Sequence, residues 1–420
     1  MLNKQGQREL CYVVEIDNIE PIQGSDNCEA AVVGGWRIMV RKNTFKIHEM
    51  AVYFEIDSKV PETKEFEFLA AKHYKIKTQK YTFGGKGNFI SQGLLMRLSD
   101  FPQLFEYDEQ QEAWFYTQMN DNKIVCLNDF LTKILKVKYS VKEDNIRKSN
   151  TDKYKKMAER HSKLFKNNSI IKWLYNRQWG KKLLFVFLGK KSDKKWGGWP
   201  VGKFEGVSKT DQERVENMTW VLNDKSLFVK TTKIDGTSGT YILEKKHFGK
   251  YEYYVCSRNV RMMDENQKNY HSDDENVYWQ ASNKYKIREF LQDYIEKNNL
   301  QWACIQGEVA GCSEGGVKIQ GDPHHLESLR FFGFHLTDSK NGRIEVTKAK
   351  EIANNYNIEW VPVVDTEYIL PDNFDEFKKS ADGDCEAPGS SGMREGYVYY
   401  KKDEPTFSFK NVSNEYLASK

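Results

Sequence analysis

The stretch LFVKTTKIDGTSGTYILEK, residues 227–245, reads as a strand, a tight turn and a second strand. Lys233-Ile234-Asp235-Gly236 fills the turn, and Thr237-Ser238-Gly239 follows it. A lysine at such a turn either projects into a cleft or sits on the outside of a hairpin. The glycine beside it lets another backbone approach closely. KxDG alone is frequent by chance, so its meaning rests on the segments around it.

Downstream, YEYYVCSRN (251–259), WACIQGEVA (302–310), LRFFGFHL (329–336), GYVYYKK (396–402) and FSFKNV (407–412) have the composition of strands. KYKIREFLQDYIEKN (284–298) puts Ile287, Phe290, Leu291 and Ile295 on one helical stripe. Upstream, Thr210-Asp211-Gln212-Glu213 has the form of a capping box and predicts a helix running to about Met218. ADGDCEAPGSSG (381–392) has the composition of a flexible loop. Helices and strands interleave without repeats, so residues 201–420 form an α+β domain.

Residues 1–130 read differently. CYVVEI, AAVVGGWRIMV, MAVYFEI, HYKIKTQKY and GLLMRL are short strands between turns, as in a small barrel or sandwich. Between the two zones lies a basic, partly helical insertion or linker, residues 131–200. It holds 20 Lys/Arg against 5 Asp/Glu, a balance of +15 in a chain whose net charge is +4. Such a block, interleaved with Trp173, Tyr175, Trp179 and Trp196, is either an RNA- or DNA-binding footprint or a solvated linker. Lys155, Lys156, Lys190 and Lys191 are its candidate RNA contacts.

The whole chain has 420 residues, 39% hydrophobic and 30% charged, enough for two or three domains with a wet surface. No run of about 18 apolar residues is present, which excludes a membrane-spanning helix. The first residues lack a signal-peptide core. Seven cysteines without a CxxC pair exclude a zinc ribbon and a disulfide framework. A soluble cytoplasmic monomer is the expectation. His324-His325 reads as an exposed or RNA-proximal loop pair, and GGKG at 84–87 lacks the GK[ST] of a P-loop.

Six segments in order resemble the covalent nucleotidyltransferase superfamily, the ATP-dependent ligases and capping enzymes. They are KIDG (233–236), CSRN (256–259), QGEVAG (306–311), RFFGFHL (330–336), EGYVYYK (395–401) and FSFKNVSN (407–414). SKTDQERVENM (208–218) and the N-terminal segments IEPIQGSDNCEAAVVGGW, MAVYFEIDSKVP and ISQGLL are similar to the Naegleria-type and Deinococcus-type RNA ligases. The resemblance implies an N-terminal OB-type β-barrel and a C-terminal adenylyltransferase domain with antiparallel sheets. It implies ATP and Mg2+ (or Mn2+) as cofactors, and RNA ends or nicks as partners, joined 3′-OH to 5′-phosphate through lysyl-AMP and an AMP-capped 5′ end. Within it Lys233 is the nucleophile, Arg258 a phosphate contact, Glu308 a ribose contact and Phe334 an adenine-stacking ring. Glu395 orients metal-bound water, with Glu308 the weaker metal candidate, and Lys410 contacts the α-phosphate. Asp235 either steers the amine or caps the turn, and Gly236 completes the nucleotide-binding loop.

The chain departs from the family pattern at Val412, where a second lysine is usual, at Tyr400, which displaces a lysine to Lys401, and at Thr232 before the nucleophile. DNA ligases and capping guanylyltransferases are the competing enzymes, and Lys410 lies too near the end for the OB domain that usually follows in them. A catalytically dead RNA-binding protein is the non-enzymatic alternative. Because the motifs all fall in residues 201–420, removal of residues 1–130 is expected to spare lysyl-AMP formation.

Overall fold

The computed structural model describes residues 1–3, 7–83, 88–117, 123–140, 169–177, 184, 196–200, 202–209, 211–262 and 276–419. Thr210 and the basic-block residues Lys155, Lys156, Lys190 and Lys191 lie outside them. Residues 1–139, 198–261 and 272–420 form one compact unit, and residues 140–197 with 262–271 form another. In the second, Ser169–Tyr175 is a short helix, and the Arg177 guanidinium lies over Trp173 at 3.8 Å.

The N-terminal part of the large unit is built on two three-stranded sheets. β1 (Cys11–Glu15), β5 (Met50–Phe54) and β6 (Leu94–Arg97) form one, with β5 central. β2 (Asn18–Pro21), β3 (Cys28–Val33) and β4 (Trp36–Arg41) form the other. The run AAVVGGWRIMV is therefore two strands. It folds back at Gly34-Gly35, with Val33 opposite Trp36. Strand β1 is apolar on both sides because both are covered. Tyr12 and Val14 pack with Trp36, Ile38 and Tyr53, while Cys11 and Val13 pack with Phe54, Phe66 and Phe101. Leu131, Leu135 and Val137 belong to the second of these clusters, so it extends past residue 130.

The C-terminal part has two larger sheets. In one, neighbouring strands run in the order β10, β9, β11, β12, β13: Tyr251–Ser257, Thr237–Lys245, Trp302–Ala310, Arg330–Asp338 and Gly342–Arg343. All of these pairings are antiparallel. The other sheet runs β7 (Glu213–Arg214), β16 (Ser408–Val412), β15 (Gly396–Lys401), β8 (Phe228–Lys233), β14 (Val363–Tyr368). It is antiparallel except for the short β7–β16 pairing.

Helices α1 (Val277–Lys284) and α2 (Ile287–Asn298) cover one face of the first sheet. The amphipathic stripe read from sequence is buried as expected, joined by Tyr294. The helix starts three residues later than its pattern because Lys286 takes a left-handed conformation, φ +48°, between the two helices. α3 (Val346–Asn354), α4 (Phe374–Lys379) and α5 (Asn414–Ser419) complete the unit.

The helix expected from Asp211 to Met218 does not form. Glu213–Arg214 instead pair in parallel with Phe409–Lys410, and Val215–Asn217 makes one tight 3-10 turn. Tertiary pairing overrides the capping pattern here, since this segment joins the two halves of the unit. The Gly35 N–H donates to the Glu216 carbonyl at 2.8 Å. Trp36 Nε1 donates to Asn217 Oδ1 at 2.6 Å, and Asn217 Nδ2 donates to Glu55 Oε1 at 3.1 Å. A Cβ on Gly35 would lie 2.2 Å from the Phe374 ring and 2.7 Å from Glu216 Cα, so only glycine permits the approach. Behind it, Lys378 Nζ donates to buried Glu216 at 2.7 Å and to the Val412 carbonyl at 2.8 Å.

The 381–392 loop is also more ordered than its composition implies. Arg394 donates to the carbonyls of Ala381, Asp382 and Asp384 at 3.1, 2.6 and 3.0 Å, and pairs with Glu386. A buried guanidinium supplies the donors that the loop's carbonyls need.

These contacts alter the expectation for the truncated protein. Deleting residues 1–130 would leave Asn217 and Glu216 without their N-terminal partners and expose the surface around Phe374. The truncated chain should melt well below the full chain in thermal denaturation, and the labelling expected from sequence to survive the deletion should fall with it. Equal melting temperature and labelling would show that the two halves are independent.

Candidate active site

Strand β8 ends at Lys233, which lies opposite Gly396 at the start of β15. That register brings Glu395 beside it, with Lys233 Nζ 2.7 Å from Glu395 Oε2. The following turn leads into β9, where Ser238 faces Glu308 of β11. A Cβ on Gly236 would lie 2.3 Å from the Val309 carbonyl oxygen and 3.1 Å from Glu308 Cγ. Glycine is thus required for the turn to lie against β11, and that contact carries Glu308 to the lysine. Lys233 of β8, Glu395 just before β15 and Glu308 of β11 come from two sheets and meet at their junction.

The charges there are coupled. Burial by itself would lower the Lys233 pKa, but Glu395 and Glu308 outweigh it and leave it above the ordinary lysine value. Burial raises Glu308 to about 8, against the pull of Lys233 and reinforced by Glu395 and Asp235. Nucleotide-free, the site therefore holds a protonated amine. Nucleophilic use of Lys233 needs something that removes this negative charge from around the proton or overrides it.

Asp235 is anchored at both ends. Its backbone N–H donates to His324 Nε2 at 2.8 Å, and its carboxylate accepts from the Tyr416 hydroxyl of α5. These two contacts hold the turn that follows Lys233. His324 is fully buried, contrary to the exposed loop histidine expected. Burial depresses its pKa, so the ring is neutral and can accept the Asp235 N–H. His325 is the exposed member of the pair.

Lys410 lies on β16, next to Arg214 of β7. Its ammonium is 3.5 Å from Asp211 Oδ1. Burial lowers its pKa to about 8; Asp211 opposes the shift, and Arg214, Arg8 and Lys233 add to it. Arg258, just beyond β10, pairs with the other oxygen of the same Asp211. Phe334 sits at a β-bulge: His335 pairs with Gln306 and Gly333 with Gly307, so Phe334 has no partner across β11. A bulge re-aims a side chain out of strict alternation, and Phe334 is the residue left unpaired at this one. The Phe334 ring meets His335 edge-on at 4.9 Å, and His335 meets Tyr400 at 5.5 Å.

The departures from the family pattern have local explanations. Tyr400 is buried against His335, whereas Lys401 pairs with Asp224 at 2.9 Å. The Val412 side chain is core. Thr232 donates to Glu386 at 2.7 Å. Among the described residues no group of three or more His, Cys, Asp or Glu is arranged to hold a metal ion. Two carboxylates, Glu395 and Glu308, fit a cation that keeps most of its waters and binds through phosphates, as Mg2+ does. Sequence reading missed Asp211, His324 and Tyr416. Asp211 was hidden in an apparent capping box, and the other two act through contacts that only the fold creates. No described helix is long and apolar enough to cross a membrane.

The Gly236 contact gives a direct test. Gly236→Ala should destabilise the fold by about 1–3 kcal/mol, typical of overpacking, and move the turn away from β11. Urea denaturation would measure the loss; unchanged stability would mean that the turn relaxes freely.

Residues 226–412 match the RNA ligase family model, and residues 10–98 match an OB-fold domain model. The fold is similar to that of Naegleria gruberi RNA ligase. A ligand-free variant of that ligase aligns with a TM-score of 0.68 and 23% identity, over 99% of this chain and 99% of that one. A variant bound to ATP and Mn aligns with a TM-score of 0.68 and 23% identity, over 98% and 99%. A variant bound to AMP and Mn gives the same values. None of the curated protein sequences matches this chain.

Proposed function

From an RNA ligase domain at residues 226–412 carried behind an OB-fold domain at residues 10–98, we propose that this chain joins RNA 3′-OH and 5′-phosphate ends using ATP, through lysyl-AMP. One observation carries the reading: Lys233 lies between Glu395 and Glu308 at the junction of two sheets, with Lys410 close enough to respond to its charge. The ATP, AMP and Mn bound by the Naegleria ligase variants support the same nucleotide and a divalent cation here.

In the first step Lys233 Nζ attacks the α-phosphorus of ATP. An N–P bond forms, the bond to the bridging oxygen breaks and pyrophosphate leaves. The amine proton has Glu395 Oε2 as an acceptor 2.7 Å away. A divalent cation held by Glu395, with Glu308 as the weaker contact, would offset the phosphate charge. Lys410 and Arg258 supply positive charge to the α-phosphoryl oxygens as they gain charge. His324 and Tyr416 hold the turn that aims Lys233. Phe334 offers its ring to the adenine and Glu308 accepts from the ribose hydroxyls. AMP then passes to the RNA 5′-phosphate, and the 3′-OH displaces it. RNA ends bind the OB-fold half, taken as residues 1–130. The basic segment 131–200 has a +15 balance that suits phosphates. The ligase half is taken as residues 201–420.

Lys233→Ala should abolish transfer of label from α-labelled ATP to the protein, read on a denaturing gel. Lys233→Arg should be equally inactive, because a guanidinium keeps its proton at working pH. A labelled Lys233→Ala protein would refute the assignment, and label from GTP in place of ATP would indicate a capping enzyme.

Lys410→Ala should slow labelling by roughly 100-fold or more, the size of effect seen when a charge-stabilising group is lost. Rapid-quench measurement of lysyl-AMP formation would check this, and a near wild-type rate would remove Lys410 from the chemistry.

A further inference from the structure

We propose that Asp211 is a positioning residue of this reaction, holding Arg258 and Lys410 on one carboxylate and supplying the negative charge that buried Lys410 requires. The inference rests on the lysyl-AMP reading and deepens it.

The geometry is specific. Arg258 follows a strand of one sheet, Lys410 lies on a strand of the other, and their motifs are distant in sequence, yet each pairs with a different oxygen of Asp211. Asp211 is itself held in place. Its backbone N–H donates to the Lys209 carbonyl at 3.0 Å, and Lys209 Nζ donates to Asn259 Oδ1 at 3.1 Å, beside Arg258. Lys209 and Asp211 therefore link the CSRN motif to the strand bearing Lys410.

Charge gives the contact its purpose. Lys410 is buried, and Arg214, Arg8 and Lys233 each disfavour its protonated form. Asp211 is the one carboxylate paired with it among the described residues. A buried lysine among cations tends to shed its proton and become useless as a phosphate contact. Asp211 counters this, and its own carboxyl stays ionised: burial pushes its pKa up, but Lys410 and Arg258 hold it below the usual value. The same carboxylate sets where the two cations point, so both address one phosphate.

The test is the pH profile of kcat/KM for self-adenylylation, which reports groups of the free enzyme. Lys410 is charged below its pKa, so the wild-type rate should fall as pH rises through about 8. D211N keeps the shape of the side chain and removes its charge. Its alkaline decline should move to lower pH by about one unit or more. D211E should return the decline towards the wild-type position. Circular dichroism melting would establish that the variants are folded. An even loss of rate at every pH in D211N, or an unmoved decline, overturns the proposal. If D211N does not fold, R258Q is the second arm. With Arg258 gone, Asp211 serves Lys410 alone and the decline should move to higher pH; an unmoved decline again overturns the proposal. Wild-type protein that takes no label refutes the lysyl-AMP reading and this inference with it. Labelled wild-type protein with an immobile profile refutes this inference alone.

Discussion

The Lys233 amine, partly buried beside Glu395 and close to Glu308, is the constraint around which the C-terminal half is organised. Burying an ammonium costs several kcal/mol unless charge and hydrogen bonds compensate. The compensation comes from two sheets at once, so the sheets must meet at that point and in that register. The bare Gly236 makes the meeting possible, since the Val309 carbonyl occupies the space a side chain would need. The same carboxylates that stabilise the charged amine hold back its use as a nucleophile. A lysine held this way stays protonated until the charges around it change.

A second layer of contacts keeps this centre rigid. His324 and Tyr416 fix the turn after the lysine, and Arg394 gathers the loop that leads into Glu395. Ser413 N–H donates to the Glu395 carbonyl at 2.9 Å, tying the far end of β16 to the same residue. His324, Arg394 and Ser413 act through backbone groups, whereas Tyr416 acts on the Asp235 carboxylate. Catalytic geometry tolerates little displacement, so supports of this kind matter as much as the reacting groups.

The N-terminal half enters the same network through a short segment. Residues 211–217 carry Asp211 to Lys410, Arg214 to the strand beside it and Asn217 to Trp36 and Glu55. One strand-like stretch thereby links the OB-fold half, the sheet bearing the lysines and the arginine of the CSRN motif. That linkage explains why an α-helical pattern in this stretch gives way. Pairing with β16 and burial of Glu216 against Lys378 satisfy more polar groups than an isolated helical turn would.

Sequence alone determined the α+β class, the barrel-like strands of the first hundred residues, the amphipathic stripe of α2 and the ordered motifs from Lys233 to Lys410. Those features are local: side-chain alternation, 3.6-residue spacing and residues fixed by the chemistry they perform. It misread Thr210 to Met218 as a helix and 381–392 as a flexible loop, and it read His324-His325 as exposed or RNA-proximal without seeing that His324 is buried. It also took AAVVGGWRIMV as one strand. In each case the deciding partner is remote: Phe409 and Lys410 for Glu213 and Arg214, Arg394 for the loop, Asp235 for His324, and Glu216 for Gly35. The role of Asp211 belongs to the same class. Its charge is visible in the sequence, but only the tertiary structure brings two cations from distant parts of the chain to its two oxygens, because pairing between distant strands is set by the packing of the whole and not by any local pattern.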